Sequence, residues 1–261
     1  MRAEMSSSAP RITTAMLLAA GLGTRMRPLT ETRPKPLIEV AGRPLIAHAL
    51  EKLKAHGAEQ VVMNVHWLAD QLIEWAGAQT PPPEIRISDE TEKLLETGGG
   101  LKKALPLLLG AAPTPARLEQ GTPFFVVNTD SIWIDGTTPA LQRLQEAWDE
   151  ARMDALLLLC PLSQAVGHHG LGDFVMDDDG RLRRATGEER RDAPVFTGIY
   201  VVHPRLFAHA PAEAAFSMNV LYDEAMRAGR LFGLVHDAPW LHVGTPRAIA
   251  EAEAALRAHA A

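Results

Sequence analysis

The stretch ITTAMLLAAGLGTRMRPLT, residues 12–30, decides the fold of this chain. Its first part, residues 12–21, is a continuous apolar run that ends in glycine, which is typical of a strand buried on both faces of a parallel sheet. Gly21 and Gly23 follow, and glycine lets a backbone turn tightly and approach a ligand closely. The stretch therefore predicts a buried strand that leads into a loop able to hold a phosphate group.

Strand and helix patterns alternate from this loop to residue 160. Strands are predicted at QVVMNV (60–65), EIRIS (84–88), FFVVN (124–128) and DALLLLC (154–160). Helices are predicted at RPLIAHALEKLKAH (43–56), LADQLIEWAG (68–77), LKKALPLLL (101–109) and TPALQRLQEAWDEA (138–151). This alternation indicates an α/β fold with a Rossmann-like, doubly wound sheet, in which ligands bind beyond the carboxyl ends of the strands.

The pattern changes after residue 160. Short alternating segments separated by turn residues, at 172–180, 181–186 and 194–203, predict antiparallel strands that make the sheet mixed. Thr245 and Pro246 are suited to the start of a helix, and an Ala-rich segment follows them.

Composition excludes several classes of protein. The 261 residues are 46% hydrophobic and 22% charged, as in an ordinary globular protein, and the net charge of -6 gives no basic excess for a nucleic-acid backbone. The single cysteine, Cys160, cannot form an intrachain disulfide, and the apolar runs are too short to cross a membrane. We expect a cytoplasmic protein with no nucleic-acid or membrane partner, as a monomer or small homo-oligomer.

The loop after the first strand fits neither of two common nucleotide loops. A Rossmann fingerprint needs a third glycine where this chain has Met26, and the GKS or GKT of a P-loop is absent. What remains is GLGTRMRPLT (21–30) followed by PKPL (34–37), with Arg25 and Lys35 ten residues apart. The combined string resembles the signature of sugar-1-phosphate nucleotidyltransferases. The resemblance implies a GT-A-like fold and Mg²⁺-dependent transfer of a nucleoside monophosphate to a sugar 1-phosphate, with release of pyrophosphate.

The resemblance implies that two loops bind the nucleotide, namely the loop after the first strand and the loop at 95–100. LETGGG (95–100) is similar to the base-binding loop of the branch that transfers UMP to N-acetylmuramate 1-phosphate, whereas other relatives commonly have a GTA core here. The implied nucleotide-binding residues of both loops are Ala19, Ala20, Gly21, Gly23, Thr24, Arg25, Thr97 and Gly98.

The resemblance also implies a metal site at VVNTDSIW (126–133) and PWLHVGTP (239–246), with Asp130 as a Mg²⁺ ligand. The family commonly places a second aspartate where this chain has His242. Imidazole is a softer ligand than carboxylate, so a tolerance for Mn²⁺ or Co²⁺ is expected. Three possibilities remain open: His242 binds the ion directly, binds it through water, or leaves it to Asp130 and phosphate oxygens.

The segments GHHGLGDF (167–174) and FTGIYVVHP (196–204) resemble the sugar-contacting segments of the same branch. The implied sugar-binding residues are Asn128, Gly172, Asp173, Thr197 and Gly198. Many relatives hold the sugar phosphate with a lysine that is missing from residues 181–196. Arg183, Arg184 and Arg191 are open candidates for its replacement, or belong to a solvated charged face.

These inferences define one organisation and one mechanism. We expect a disordered leader at 1–10 and one domain at 11–261, with a nucleotide-binding lobe (11–160), a smaller antiparallel sugar-phosphate-binding lobe (161–245) and a C-terminal helix (246–261). Arg25, Lys35 and Asp130 are the expected catalytic residues. The preferred substrates are UTP and N-acetylmuramic acid α-1-phosphate. The alternatives are transfer of GMP or another nucleotide to mannose or heptose 1-phosphate, and a non-catalytic nucleotide or sugar sensor on the same fold.

Overall fold

A computed structural model describes residues 11–260, so the leader expected at 1–10 lies outside the described residues. The strands in this range are β1 (Thr14–Leu18), β2 (Glu39–Val40), β3 (Arg43–Pro44), β4 (Gln60–Val65), β5 (Glu84–Asp89), β6 (Phe124–Asn128), β7 (Ser131–Trp133), β8 (Ala155–Cys160), β9 (Ala165–Val166), β10 (Phe174–Met176), β11 (Leu182–Arg184), β12 (Val195–Val202), β13 (Leu231–Val235) and β14 (Trp240–His242). The α-helices are α1 (Leu45–His56), α2 (Ala69–Gly77), α3 (Glu96–Leu108), α4 (Pro115–Gln120), α5 (Ala140–Ala147), α6 (Met218–Arg227) and α7 (Pro246–Ala260).

A seven-stranded mixed sheet forms the centre of the molecule, in the order β13-β8-β12-β6-β1-β4-β5. β6, β1, β4 and β5 are parallel neighbours, whereas β12 runs antiparallel to both β6 and β8. The two faces of β1 belong to different hydrophobic clusters, with Leu17 on one side and Met16 on the other. The predicted α/β fold with a doubly wound mixed sheet is therefore confirmed.

Several element boundaries differ from the sequence-based expectation. The strands at 60–65 and 124–128 are found as predicted, but α5 ends at Ala147 because the chain becomes extended at Trp148. α3 begins at Glu96, so the glycine triplet 98–100 lies inside its first turns instead of preceding the helix. Helix packing overrides the low helix propensity of glycine there, since all three glycines are buried.

The strands after residue 160 are distributed over more than one sheet. β10 and β11 form an antiparallel hairpin, as expected, and β14 joins β7 and β9 in a small sheet of its own. β12, however, is a central strand of the main sheet, and β13 is its edge strand beside β8. The main sheet is therefore not divided at residue 160.

Within residues 11–260, the helices are all too short or too polar to cross a membrane.

Candidate active site

A cavity of about 350 Å³ lies where β1, β4 and β6 end at their carboxyl edges. Parallel strands bring the loops that follow them to the same edge, which is the usual ligand position in this class of fold. The structure brings most of the predicted nucleotide-binding and catalytic residues together in this first cavity: Ala19, Ala20, Gly21, Gly23, Thr24, Arg25, Lys35, Thr97 and Asp130. Asn128, predicted to bind the sugar, lines it as well.

Gly23 shapes the loop after β1. Its φ of 62° lies in the left-handed region, and a Cβ there would lie 2.9 Å from Thr30 Cγ2 and 3.0 Å from Lys35 Cβ. The Thr30 hydroxyl donates a hydrogen bond of 2.8 Å to the Gly23 carbonyl and closes the loop. Glycine is therefore required for backbone geometry and for space, and it lets Lys35 approach the cavity.

Lys35 and Asp130 form an ion pair at the edge of the cavity, with Lys35 Nζ donating to Asp130 Oδ2 over 2.8 Å. Burial is the largest single influence on Asp130 and opposes its ionisation, but the Lys35 charge and hydrogen bond, together with His242 and Arg25, outweigh burial and hold the pKa of the carboxyl below its ordinary value. Asp130 is therefore a carboxylate near pH 7. The pair places a positive and a negative group where β6 meets the first loop.

A buried polar network that sequence reasoning missed connects the two nucleotide loops. Asn64 Oδ1 accepts from the Ala19 amide over 2.7 Å, and its Nδ2 donates to Glu90 Oε1 over 2.7 Å. The other oxygen of Glu90, which is fully buried, accepts from the Leu95 amide over 3.1 Å. The one available signal was the polar Asn64 inside the apolar run of the strand QVVMNV, since polar residues are seldom buried without a partner.

The glycines of the second loop are required for close packing. A Cβ on Gly98 would overlap the Phe216 ring, and one on Gly100 would lie 2.6 Å from Glu90 Oε1. The Gly98 amide donates to the Phe216 carbonyl over 2.9 Å. Thr97 lines the cavity, whereas Gly98, predicted to bind nucleotide, is outside its lining. The triplet lets the start of α3 approach its neighbours and so positions Thr97.

A second cavity, of about 550 Å³, adjoins the first and shares Arg25, Asn128, Asp130 and Gly244 with it. Six residues predicted for the acceptor or the metal line it: Asn128, Asp130, Asp173, Thr197, Gly198 and His242. Gly172 is outside the lining, and its amide donates to the Arg190 carbonyl over 2.7 Å. It therefore holds the turn before Asp173.

Gly198 and Asn128 lie against each other on β12 and β6. Gly198 has a φ of 77°, and a Cβ there would lie 2.5 Å from Asn128 Nδ2. The pairing of β12 with β8 shifts register between Phe196 and Tyr200, so Gly198 sits in an irregularity of the strand. Such irregularities re-aim side chains near active sites. The absent side chain leaves room for Asn128 beside the cavity.

His242 is placed beside Asp130, with Nδ1 4.0 Å from Asp130 Oδ2 and its ring stacked on Trp240 at 5.5 Å between centroids. Burial lowers the pKa of His242 more than Asp130 raises it, so the imidazole is neutral near pH 7. A neutral imidazole and a carboxylate are both competent metal ligands. Within residues 11–260, no group of three or more His, Cys, Asp or Glu side chains could hold a metal ion.

The three arginines considered as replacements for the family lysine are engaged elsewhere. Arg183 pairs with Glu189, Arg184 with Asp223 and Arg191 with Glu188. None of the three lines either cavity. The second cavity instead contains Arg25 together with His168 and His169.

The fold and site define a class of enzyme. The model of the family "Nucleotidyl transferase" matches residues 14–259. The chain therefore belongs to the nucleotidyltransferase family, as the resemblance predicted.

Two curated relatives are similar to this chain over nearly its whole length. The N-acetylmuramate alpha-1-phosphate uridylyltransferase of Caulobacter vibrioides is 42% identical over 254 residues, which cover 96% of this chain and 98% of that protein. The protein of the same name from Neisseria meningitidis is 34% identical over 241 residues, covering 92% and 96%.

Solved structures share the fold at lower identity. A UDP-glucose pyrophosphorylase complexed with UDP-glucose superposes with a TM-score of 0.72 at 17% identity, over 95% of this chain and 99% of that one. HddC from Yersinia pseudotuberculosis superposes with a TM-score of 0.71 at 18% identity, over 93% and 99%.

Proposed function

We propose that the protein transfers UMP from UTP to a sugar 1-phosphate, namely N-acetylmuramic acid α-1-phosphate, and releases pyrophosphate. The observation that carries this proposal is the Lys35–Asp130 pair at the junction of two adjoining cavities, one built by the glycine loop and one by β12 and β14. Two substrates can lie there with their phosphates near one another. The two uridylyltransferase relatives support the choice of UTP and of the sugar.

The chemistry needs no nucleophile from the protein. A phosphate oxygen of the sugar 1-phosphate forms a bond to the α-phosphorus of UTP, while the bond from that phosphorus to the bridging oxygen breaks and pyrophosphate leaves. Arg25, which lines both cavities, and Lys35 stabilise the negative charge that develops on the phosphates. The backbone of the first loop holds the triphosphate in line with the attacking oxygen.

Asp130 and His242 would hold the Mg²⁺ that we propose as cofactor. The donor set fits, because Asp130 is ionised and His242 is neutral, and one or two protein ligands are usual where phosphate oxygens supply the others. When bound, the ion neutralises phosphate charge. Lys35 helps to keep Asp130 ionised and orients it through the 2.8 Å hydrogen bond.

Pyrophosphate release tests the proposal. Purified protein with Mg²⁺ is assayed with UTP, GTP, CTP and dTTP, each against the 1-phosphates of N-acetylmuramate, N-acetylglucosamine, mannose and glucose. The proposal expects the highest kcat/KM for UTP with N-acetylmuramate 1-phosphate. A different preferred pair keeps the reaction class and overturns the substrate assignment. No turnover with any pair, with Mg²⁺ or Mn²⁺, favours a binding protein on this fold.

A further inference from the structure

A third pocket, of about 230 Å³, opens beside the two cavities and is not used by the mechanism above. It shares Leu18, Thr97 and Asn128 with the first cavity and Asn128 and Phe196 with the second, so a ligand that joins the two cavities passes beside it. We name it the aromatic pocket. The rest of its lining consists of Phe196, Tyr200, Ser217, Met218, Asn219 and Tyr222, of which Asn219 is exposed.

The aromatic pocket combines an aromatic wall with uncharged polar side chains. The rings of Phe196, Tyr200 and Tyr222 meet edge to face, with centroids 5.4 to 5.9 Å apart. Burial raises the pKa of both phenols, so both tyrosines stay neutral. The lining contains no charged side chain, and burying an unpaired charge there would be costly. The lining therefore favours a small neutral group over a carboxylate.

One polar group in this wall is held in a fixed orientation. Arg184 donates to Asn219 Oδ1 over 2.9 Å, and the same guanidinium donates twice to Asp223 Oδ1, over 2.9 and 3.1 Å. The Phe174 ring lies 5.0 Å from the Arg184 guanidinium carbon and supports it from the side. Because the Asn219 oxygen is engaged by Arg184, its Nδ2 is the end left to donate to a ligand.

We propose that the aromatic pocket binds the acylamino substituent of the sugar 1-phosphate, with Asn219 Nδ2 donating a hydrogen bond to the acyl carbonyl oxygen. The methyl group of an acetyl substituent contacts Phe196, Tyr222 and Met218. The pocket has space for several water molecules at about 30 Å³ each, so a group of four heavy atoms fits. The inference rests on the proposed function, and it makes Asn219 a specificity residue and Arg184 a positioning residue.

The test compares sugars that differ at this substituent. We would measure kcat/KM for UMP transfer to N-acetylglucosamine 1-phosphate and to glucose 1-phosphate, with N-acetylmuramate 1-phosphate as a third substrate. In Asn219→Leu, kcat/KM should fall about three- to tenfold for both N-acetylated sugars and stay within about twofold for glucose 1-phosphate. Arg184→Gln should lower the ratio of kcat/KM for the N-acetylated sugars to kcat/KM for glucose 1-phosphate by a smaller factor than Asn219→Leu does, because Arg184 acts through Asn219.

Arg183→Gln is the matched control. Arg183 is the neighbouring arginine, but it pairs with Glu189 and does not touch Asn219, so its loss should leave the ratio unchanged. An Asn219→Leu variant that loses equal activity toward all three sugars, or none, overturns the inference.

A binding measurement separates this inference from the proposed function. Titration calorimetry of the wild-type protein and Asn219→Leu with UDP-N-acetylglucosamine and UDP-glucose needs no turnover. Tighter binding of the acylated nucleotide sugar that is lost in Asn219→Leu supports the pocket assignment, even where no sugar 1-phosphate is turned over. Equal binding of the two ligands, or binding of neither, overturns the assignment, whatever the assay of pyrophosphate release gives.

Discussion

The ammonium of Lys35 lies 2.8 Å from Asp130 Oδ2 and joins the first loop to the end of β6. Replacing Lys35 with Met removes one of the charges that lower the pKa of Asp130. It also removes one of the two cations, Arg25 and Lys35, that are proposed to contact the phosphates. We expect kcat for pyrophosphate release to fall on the order of 10²–10³-fold, as for other groups that stabilise transition-state charge.

Lys52→Met is the control for this prediction. Lys52 forms a similar pair with Asp135 at 2.6 Å, but it lies on α1 and lines neither of the two cavities. Its loss should leave kcat within about twofold. Equal effects of the two substitutions would show that the loss is not specific to the active site.

Gly198→Ala should disturb the acceptor side of the site. Alanine at φ 77° is strained by roughly 1–2 kcal/mol, and its methyl group would displace Asn128 from beside the second cavity. Gly180→Ala carries the same backbone strain at φ 86°, with no atom nearer than 3.6 Å. We expect similar destabilisation from strain in both variants, and a raised KM for the sugar 1-phosphate in Gly198→Ala alone. Urea unfolding and steady-state kinetics provide the two measurements.

Asn64→Leu should weaken both folding and UTP binding. The substitution leaves the Ala19 amide and the Glu90 Oε1 atom buried without these hydrogen bonds. Each such group should lower the free energy of unfolding by about 1–3 kcal/mol. The KM for UTP should rise because Ala19 borders the first cavity. Gln60→Leu, on the same strand, breaks a single bond to the Leu107 carbonyl and should change stability less and KM not at all. A normal KM in Asn64→Leu would disprove the link to the nucleotide loop.

His203 should make the protein less stable in mild acid. Burial, assisted by Arg205, lowers the pKa of His203 from 6.5 to about 4. The unfolded chain therefore binds the proton more readily, so stability is complete above pH 6.5 and falls as pH drops toward 4. At ~1.4 kcal/mol per pKa unit, the full loss is on the order of 3 kcal/mol.

The measurement is urea unfolding of the wild-type protein and His203→Asn between pH 7 and pH 4.5. His203 Nδ1 accepts from the Arg205 amide over 3.1 Å, and the oxygen of asparagine can accept the same bond without titrating. The stability difference between the two proteins should therefore narrow as pH falls. A difference that stays constant over this range would contradict the prediction.

The metal preference of His242 can be tested by substitution. Because imidazole is a softer ligand than carboxylate, we expect the wild-type protein to use Mn²⁺ as well as Mg²⁺. His242→Ala should lower the ratio of Mn²⁺- to Mg²⁺-supported activity, whereas His169→Ala, which changes another histidine of the same cavity, should not. An unaltered ratio and rate in His242→Ala would remove His242 from the metal site.

Sequence patterns singled out residues that the structure brings together in the first cavity, because these residues are local to strand ends, and their roles stay predictions. Gly23 and Asp130 each follow a buried strand, and parallel strands bring such loops together without further information. The central position of β12 was not predicted, because its partners β6 and β8 lie far away in the sequence and alternation does not reveal pairing order.

The sequence explained the second loop, residues 95–100, less completely, because the partners of its glycines lie far away in the sequence. The small size of Gly98 and Gly100 is explained by Phe216 and by Glu90, neither of which belongs to the motif. Likewise, the Arg184–Asn219 contact joins β11 to α6 across 35 residues, and a charge run alone cannot reveal it. Tertiary packing supplies this information, and local periodicity does not.

The insertion of β12 between β6 and β8 has a consequence for synthesis on the ribosome. Residues 195–202 must leave the exit tunnel before the sheet can close, so a nascent chain that has reached only residue 160 exposes unpaired edges on two apolar strands. Such long-range pairing slows folding and leaves intermediates prone to aggregation. The first 160 residues alone should therefore require a chaperone to stay dispersed, although they carry most of the residues proposed to bind the nucleotide.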